Sequence, residues 1–284
     1  MPLMEQETAI YLTNIVIAVI LAGMLTHSWL VQGRTRPSFM WMAASWTMVV
    51  ADCFFALRPE MPHWFGRLFP TLLVTVSHGM FFAGARTNAR QHVPYAMLGG
   101  LVVVHAIILL VFLADLIPST PWRMVANGVI WANIAFASFL SMRKAASPFW
   151  SPLFAPANVF LLHGFFHVGR LLLALGAAAY DWPRVAAALQ VVGDLEASFF
   201  IVALFTALLI AMLQQRHEEL LHARAEVETL SGLLPVCAWC KKVRDDRGYW
   251  EQVEDYLSRR HIQVTHGICV DCVAKQTATQ PTSS

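Results

Sequence analysis

Charged residues are scarce in this chain. Asp, Glu, Lys and Arg make up 13% of its 284 residues, whereas hydrophobic residues make up 57%. Soluble domains contain about 25% charged residues, so the shortage is explained if most of the chain lies in lipid. The formal net charge of +2 is small, and no basic patch with interleaved aromatic residues is present. The composition predicts an integral membrane protein embedded in a lipid bilayer, and it gives no support to nucleic-acid binding.

The start of the sequence also lacks the pattern that is typical of a cleavable leader. The first ten residues, MPLMEQETAI, contain Glu5 and Glu7 but no Lys or Arg. A secretory signal peptide begins with positive charge and ends at a small-residue cleavage site. We therefore expect the first apolar run to be a retained membrane span. Before residue 237 the sequence contains a single cysteine, Cys53, and a lone cysteine in an apolar run is typical of a small buried residue.

Seven apolar runs are long enough to cross a bilayer, whose core of about 30 Å requires roughly 20 helical residues. The predicted spans are 9–30, 39–57, 68–85, 95–116, 124–142, 153–179 and 189–213. Most of the short connectors between them contain Pro or Arg. The sequence therefore predicts an all-α membrane protein with a seven-transmembrane helix bundle in residues 1–213.

Positive charges in the short loops indicate the orientation of this bundle. If the N-terminus lies outside, the inner loops carry six Lys and Arg residues and the outer loops carry four. The segment after the seventh span adds Arg216, Arg224, Lys241 and Lys242 to the inner side. We expect an N-out, C-in protein of the inner (cytoplasmic) membrane, with its C-terminal tail in the cytoplasm.

A polar, helix-favouring segment at 214–235 follows the last span. Leu213, Leu220, Val227 and Leu234 are each seven residues apart, which is the repeat of a coiled-coil seam. The segment is predicted to be a helical linker. It either forms a short two-stranded coiled coil in a homodimer or remains a single amphipathic helix.

Two close cysteine pairs occupy the segment 236–275. This segment is too short for a self-sufficient apolar core, and it contains the motifs CAWC and CVDC. Two Cys-x-x-Cys pairs can place four thiolates tetrahedrally around a structural zinc, with no position left open for catalysis. The predicted zinc ligands are Cys237, Cys240, Cys269 and Cys272. The cytoplasm disfavours disulfides, which supports a small zinc-ribbon-like domain. The alternatives are a redox pair, two unrelated pairs, or His266 in place of one cysteine. Residues 276–284 are polar and predicted to be disordered.

The segment around these cysteines reads LSGLLPVCAWCKKVRDDRGYWEQVEDYLSRRHIQVTHGICVDC. It resembles a C-terminal four-cysteine module that follows sensor domains in many bacterial signalling proteins. The pattern of that module runs roughly LxGLLPICAxCKKIRDDxGYWxQLExYI, then a short gap and SHGICPxC. The resemblance implies a signalling context without known catalytic activity. It also implies a small aromatic core of Tyr249, Trp250 and Tyr256 and a turn at Gly248.

The membrane part is similar, more generally, to seven-helix sensor regions that precede diguanylate cyclase or kinase domains. The stretch that carries the similarity is ALRPEMPHWFGRLFPTLLVTVSHGMFFAGARTNAR. This sequence contains no cyclase domain, no kinase phospho-acceptor helix and no nucleotide-binding domain. Signalling would therefore run through the zinc module or through a cytoplasmic partner protein.

Ionisable residues inside the predicted spans are candidates for function, because they are costly in lipid. We expect four of them in the outer half of the bundle: Asp52, Arg170, Asp194 and Glu196. Arg170 and Glu196 lie at similar predicted depth, so we expect an ion pair between them, with Asp194 as the rival partner. Asp52 is shallower and is expected to face the outer water. The pair is either a structural lock between helices six and seven or part of a ligand pocket that opens outward.

Four histidines are expected nearer the middle of the bundle: His78, His105, His163 and His167. His163 and His167 are four residues apart, so they share one helix face. Such a pair can bind zinc, copper or haem iron, with His78 and His105 supplying further ligands. Alternatively, each imidazole hydrogen-bonds a neighbouring helix.

These features favour a membrane sensor that passes a signal to its zinc module and a partner, and we do not expect an enzyme. One alternative is a membrane-embedded metal-dependent hydrolase that uses Ser77, His78, His163, His167 and Asp52. Its weakness is the shallow predicted depth of Asp52. A second alternative is a haem-binding redox or gas sensor.

Overall fold

A computed structural model describes residues 2–31, 34–113, 120–231, 235–245, 247–263 and 265–278. The chain divides into two compact units, Met1–Glu218 and Glu219–Ser284. The first unit contains the predicted membrane bundle, and the second contains both cysteine pairs.

Seven helices within the described residues are long and apolar enough to cross a membrane. They are α1 (Pro2–Val31), α2 (Arg36–Ala56), α3 (His63–Asn88), α4 (Tyr95–Leu113), α5 (Thr120–Met142), α6 (Pro156–Ala179) and α7 (Pro183–Ser231). Each overlaps one predicted span, so the all-α, seven-helix prediction is confirmed. The last helix, α7, continues past the predicted span end at residue 213 into the segment 214–235, which was predicted to be a helical linker, and it ends at Ser231. A helix forms its hydrogen bonds within itself, so the change from apolar to polar sequence does not end it.

Proline and a capping side chain define where several helices begin. α2 carries a proline in its first turn, and Thr35 Oγ1 accepts a hydrogen bond from the backbone N–H of Ser38 at 3.5 Å. α6 begins at Pro156. Proline suits the first turn because the N–H that it lacks would have no helical partner there. The Pro-containing connectors of the sequence therefore act as helix starts.

The bundle is packed around small residues on facing helices. A Cβ atom added at Gly84 of α3 would collide with the indole of Trp41 on α2. Trp41 is buried, and its indole contacts the ring of Phe149. Glycine at position 84 thus allows a large aromatic side chain to pack directly against the α3 backbone, as is common between membrane helices.

The second unit contains a short antiparallel hairpin and two helices. Strand β1 (Val243–Arg244) pairs with β2 (Trp250–Glu251), and the helices are α8 (Val253–Arg259) and α9 (Val270–Ala278). Asp245 Oδ1 accepts hydrogen bonds from the backbone N–H groups of Arg247 and Tyr249. Gly248 has φ +88°, a conformation that glycine adopts without steric cost. The predicted turn at Gly248 is confirmed.

The predicted aromatic core of the tail is confirmed for Tyr256 and wrong for the other two residues. Tyr256 is buried, whereas Tyr249 is 72% exposed and Trp250 is 48% exposed. Arg244 pairs with Trp250 in the hairpin, and its guanidinium lies 5.9 Å from the indole centroid. Successive residues of a strand face opposite sides of the sheet. Trp250 shares a face with its partner Arg244, so it lies on the other face from the fully buried Val243.

Candidate ligand and metal site in the helix bundle

A cavity of about 320 Å³ lies inside the first unit, and all seven membrane helices contribute to its lining. The lining brings together seven of the eight ionisable residues that the sequence singled out. They are Asp52, His78, His163, His167, Arg170, Asp194 and Glu196. The predicted outer layer of charges and the predicted central layer of histidines therefore meet in one space.

The Nε2 atoms of two buried histidines each approach the Nε2 atom of a third. His78 Nε2 lies 3.0 Å from His163 Nε2, and His167 Nε2 lies 3.2 Å from the same atom. All three side chains are buried. The four-residue spacing placed His163 and His167 on one face of α6, and α3 supplies His78 to the same cluster. The structure thus joins three of the four predicted histidines.

The Nδ1 atoms of two of these rings are held by acceptors. His78 Nδ1 donates to the carbonyl oxygen of Val74 at 2.8 Å, one turn earlier on α3. His163 Nδ1 donates to Glu196 Oε1 on α7 at 2.7 Å. A carbonyl or an ionised carboxylate only accepts, so the Nδ1 atoms of both rings carry hydrogen. In the neutral ring each Nε2 therefore presents a lone pair to the cluster.

Aromatic rings hold the histidines in place. The ring of Phe200 stacks on His163 with 3.6 Å between centroids and an interplanar angle of 13°. Trp131 stacks on His78 at 5.8 Å and lies edge-to-face against His167. The Trp131 and Phe200 side chains also line the cavity. The three imidazoles are therefore oriented before any ligand binds.

His105 lies outside this cluster, in a separate network. Its Nε2 donates to Asn127 Oδ1 at 2.9 Å, and its Nδ1 is 2.9 Å from Thr75 Oγ1. Trp131 Nε1 donates to the same threonine oxygen at 3.0 Å. Both nitrogens of His105 have partners on neighbouring helices, as the hydrogen-bonding alternative predicted, and its ring does not contribute to the three-histidine cluster.

Arg170 is buried in the cavity wall beside α7. Its Nε donates to the carbonyl oxygen of Leu189 at 3.2 Å. The negative charge of Asp194 stabilises the Arg170 guanidinium more strongly than the charge of Glu196 does. A Cβ atom at Gly193 would lie 2.6 Å from the Arg170 Cζ atom, so glycine at this position gives the guanidinium its space. Of the two predicted partners, the rival Asp194 is the stronger, and the Glu196 carboxylate contacts His163.

The expectation that Asp52 faces outer water is wrong. Asp52 is 5% exposed and lines the same cavity as the histidines. Its Oδ2 atom has no hydrogen-bond partner within the described residues. The buried stripe of α2 includes Trp41, Ser45, Met48 and Asp52, and a helical periodicity of this kind places Asp52 on the inward face. This spacing is visible in the sequence and would have indicated that Asp52 faces the inside of the bundle.

Three further arginines line the cavity, and the sequence had assigned them only a part in setting the orientation. They are Arg58, Arg67 and Arg123, and all are half-buried. The positive charges of Arg67 and Arg58 repel that of Arg123. The Arg123 guanidinium also donates a hydrogen bond to Thr120 Oγ1 at 3.0 Å. All three lie in or beside loops that were predicted to be on the outer side of the membrane. That common side is the feature of the sequence that could have indicated a shared site.

The two cysteine pairs of the second unit have the chemistry of a soft-metal site. The backbone N–H of Cys240 donates to Cys237 Sγ at 3.5 Å, and hydrogen bonding from Cys240 lowers the pKa of the Cys237 thiol. Hydrogen bonding from the Cys272 backbone likewise lowers the pKa of the Cys269 thiol. Zinc binds thiolates, so these residues fit the predicted metal.

Ligand atoms approach one another most closely in the bundle. Among the described residues, one group of His, Cys, Asp or Glu ligand atoms lies mutually within 4.8 Å: His163, His167 and Glu196. The four cysteine sulfurs do not form such a group in the described part of the chain. The cysteine pairs and the buried His-His-Glu triad are therefore two separate candidate metal positions, one in each unit.

Comparison with models of protein families, with curated proteins and with solved structures finds no match to this chain. No family is identified, so the resemblance of the tail to the four-cysteine module remains an interpretation of its motif. The function of the chain has to be inferred from the chemistry of its bundle and tail.

Proposed function

We propose that this chain is a multi-pass membrane sensor that binds a small anionic ligand in its bundle and relays binding through α7 to the zinc-binding tail. One observation carries the proposal. A single cavity gathers most of the buried ionisable residues of the bundle, and α7 supplies part of its wall. In this proposal the tail then acts on a cytoplasmic partner protein.

The charge of the lining supports an anionic ligand. Four arginines line the cavity (Arg58, Arg67, Arg123 and Arg170), together with three carboxyl side chains (Asp52, Asp194 and Glu196), so the basic groups outnumber the acidic ones by one. Guanidinium groups bind carboxylates and phosphates through paired hydrogen bonds, and the low dielectric of a membrane bundle strengthens that interaction. The cavity volume of about 320 Å³ lies at the lower end of the range for small-molecule sites. The ligand class is therefore a compact carboxylate or phosphate.

The relay depends on the residues that α7 contributes. Gln190, Gly193, Asp194 and Glu196 line the cavity, and the same helix continues to Ser231. A ligand that contacts these residues differently in two arrangements of α6 and α7 shifts the balance between those arrangements. Because α7 is one continuous helix, a rotation or shift at Glu196 is transmitted along it.

The experiment measures binding and relay separately on full-length protein in lipid nanodiscs. The probes are citrate, succinate and inorganic phosphate, with glycerol as the uncharged control. Binding is read from the melting temperature, and relay is read from the rate of tryptic cleavage in the tail. We expect an anionic probe to raise the melting temperature and to change the cleavage rate.

Two arginine variants provide matched controls for that experiment. Arg123→Gln removes a cavity charge and should abolish the response. Arg184→Gln removes an exposed charge outside the cavity lining and should preserve it. A probe that raises the melting temperature without changing the rate of tail cleavage would contradict the proposed relay. Equal changes in melting temperature with glycerol and with the anions would contradict the proposal that the ligand is anionic.

A membrane-embedded metallohydrolase is the second candidate, and the position of Asp52 favours it. Asp52 shares one cavity with His78, His163 and His167, which answers the objection that it lies too shallow. Ser77 is not part of that lining, because its Oγ is buried and donates to the Ala44 carbonyl oxygen at 2.9 Å. An acid and three imidazoles are the groups with which zinc hydrolases activate water.

The hydrolase is tested by supplying zinc and a mixture of phospholipids and ceramides to the purified protein. Released fatty acid is measured by mass spectrometry. Hydrolysis that disappears in His167→Ala and Asp52→Asn but persists in His105→Gln would support an enzyme. Release no greater than the His167→Ala background would leave the sensor as the function to pursue.

A further inference from the structure

We infer that the ligand of the bundle cavity is a compact zwitterion, whose ammonium group binds the Asp52 carboxylate and whose acidic group binds arginines at the neighbouring helix ends. The inference rests on the proposed function, because it names the class of ligand that the same cavity takes. A small amino acid and a phosphate ester of ethanolamine both have this chemistry.

Asp52 gives the cavity a buried acceptor that the protein itself does not use. The side chain is buried and lines the cavity, and its Oδ2 atom has no hydrogen-bond partner in the described part of the chain. The charge of Asp194 acts on Asp52, and that charge is also negative. A buried carboxylate that faces a like charge is costly unless a proton or a cation neutralises it. The lining therefore offers a position for a cationic group beside Asp52.

The other two carboxylates of the lining serve side chains of the bundle. Glu196 Oε1 accepts a hydrogen bond from His163 Nδ1 at 2.7 Å. Asp194 Oδ1 accepts one from Gln190 Nε2 at 3.0 Å, and both carboxylates stabilise the charge of Arg170. Asp52 is thus the carboxyl group that is best placed to bind a cation from the ligand.

An ammonium group suits Asp52 better than a metal ion does. Within the described residues, the metal-ligand atoms that lie mutually within 4.8 Å belong to His163, His167 and Glu196, and Asp52 is not among them. A carboxylate accepts hydrogen bonds and does not donate them, whereas an ammonium group carries three donors and no acceptor. One carboxylate and one ammonium group can therefore satisfy each other without further ligands.

Aromatic rings beside Asp52 also favour an organic cation. The side chains of Tyr11 and Phe55 line the cavity, and their rings stack with 5.1 Å between centroids. Phe55 follows Asp52 by three residues on α2, so the two side chains share one face of that helix. Aromatic rings attract ammonium groups through their electron-rich faces. The surroundings of Asp52 thus combine a negative charge with aromatic surface.

The acidic group of the ligand has its partners one helical turn away. Arg58 follows the end of α2, and Arg67 and Arg123 lie near the starts of α3 and α5. Their positive charges repel one another, and an anion bound among them reduces that repulsion. Asp52 lies four residues before the end of α2 at Ala56, which is about 6 Å along the helix axis. A molecule whose two charged groups are a few bonds apart can span this separation.

The test compares pairs of probes that differ only in the ammonium group. Full-length protein is placed in nanodiscs of phosphatidylglycerol, a lipid without an ammonium group. The pairs are β-alanine with butyrate and O-phosphoethanolamine with propyl phosphate, in which a methyl group replaces the ammonium. Apparent affinity is measured from the rise in melting temperature with probe concentration. We expect each zwitterion to bind about 10–100-fold more tightly than its partner, as a hydrogen bond between charged groups provides.

Asp52→Asn tests the assigned acceptor, because it removes the negative charge and keeps the size of the side chain. Each zwitterion should lose its advantage, so that the two apparent affinities of a pair come together. Asp181→Asn is the matched control, an exposed change outside the cavity lining, and it should keep the wild-type preference. The comparison of probe pairs on wild-type protein tests the inference even if Asp52→Asn fails to fold.

A second arm distinguishes a free zwitterion from a lipid headgroup. Nanodiscs of phosphatidylethanolamine supply the ammonium and the phosphate on a lipid. A melting temperature that rises in this lipid for wild type but not for Asp52→Asn would identify the zwitterion as a headgroup. The same melting temperature in both lipids, together with a preference for the soluble zwitterions, would identify a free molecule.

Three outcomes overturn the inference. Equal affinities within both pairs, with no effect of phosphatidylethanolamine that depends on Asp52, would mean that Asp52 holds a proton and that the ligand is a simple anion. The proposed sensor would then stand. A preference for zwitterions that persists in Asp52→Asn would remove Asp52 from the site. If no probe with an acidic group raised the melting temperature, the proposed function would fail together with this inference.

Discussion

His163 Nδ1 on α6 lies 2.7 Å from Glu196 Oε1 on α7. This contact joins the two helices within the cavity lining, and it places the carboxylate behind the histidine cluster. It also ties the orientation of one imidazole to the position of the long helix α7. A change at either residue should therefore affect both stability and any bound ion.

Glu196→Ala should destabilise the bundle by about 1–3 kcal/mol, because the buried Nδ1–H of His163 loses its acceptor. Glu196→Gln should cost less, since the amide oxygen still accepts a hydrogen bond. Thermal unfolding of purified protein in detergent measures the difference. Glu218→Gln, an exposed change on the same helix, is the control. Equal melting temperatures for Glu196→Ala and wild type would contradict the role of this contact.

Gly193→Ala should destabilise the protein by about 1–3 kcal/mol, because the new methyl group would collide with a buried side chain. The added Cβ would lie 2.6 Å from Arg170 Cζ. Gly169→Ala provides the matched control on α6, where an added Cβ meets nothing within 4 Å. That change should stabilise the helix by about 0.5–1 kcal/mol. If both variants melted alike, the close approach of Arg170 to α7 would be wrong.

Arg170→Ala should destabilise the bundle by about 3–5 kcal/mol, the range for removing one member of a buried charge group. The change removes the donor to the Leu189 carbonyl and the cation that acts on Asp194. Denaturant-dependent unfolding in detergent measures the loss. Arg184→Ala, an exposed change, should leave stability within about 0.5 kcal/mol. A harmless Arg170→Ala would remove this residue from the structural core of the site.

Cys240→Ser should unfold the second unit and leave the bundle intact, because a four-cysteine zinc site supplies much of the folding energy of so small a region. Removing zinc with a chelator should have the same effect on wild-type protein. The measurement is the rate of proteolysis within residues 235–278, with the melting temperature of the bundle followed in parallel. Cys53→Ser is the control. Proteolysis unchanged from wild type in Cys240→Ser would contradict a structural metal in the tail.

Hydropathy and local spacing determined the larger features of this protein. Long apolar runs predicted all seven helices, because a bilayer requires about 20 apolar residues from any helix that crosses it. The spacing of His163 and His167 predicted a shared helix face, and Gly248 predicted its turn. These features depend on residues close together in the chain, so the sequence alone contains them.

Tertiary packing decided which polar groups meet. Hydropathy indicates how deep a residue lies in a membrane helix, but it does not indicate which neighbouring helix that residue faces. Depth alone paired Arg170 with Glu196 and left Asp52 facing water. In the folded bundle Glu196 contacts His163, Asp194 acts more strongly on Arg170, and Asp52 lines the cavity. The rotation and the lateral order of the helices determine these contacts. That arrangement depends on how side chains such as Trp41 and Phe200 pack against distant parts of the chain, and local sequence does not specify it.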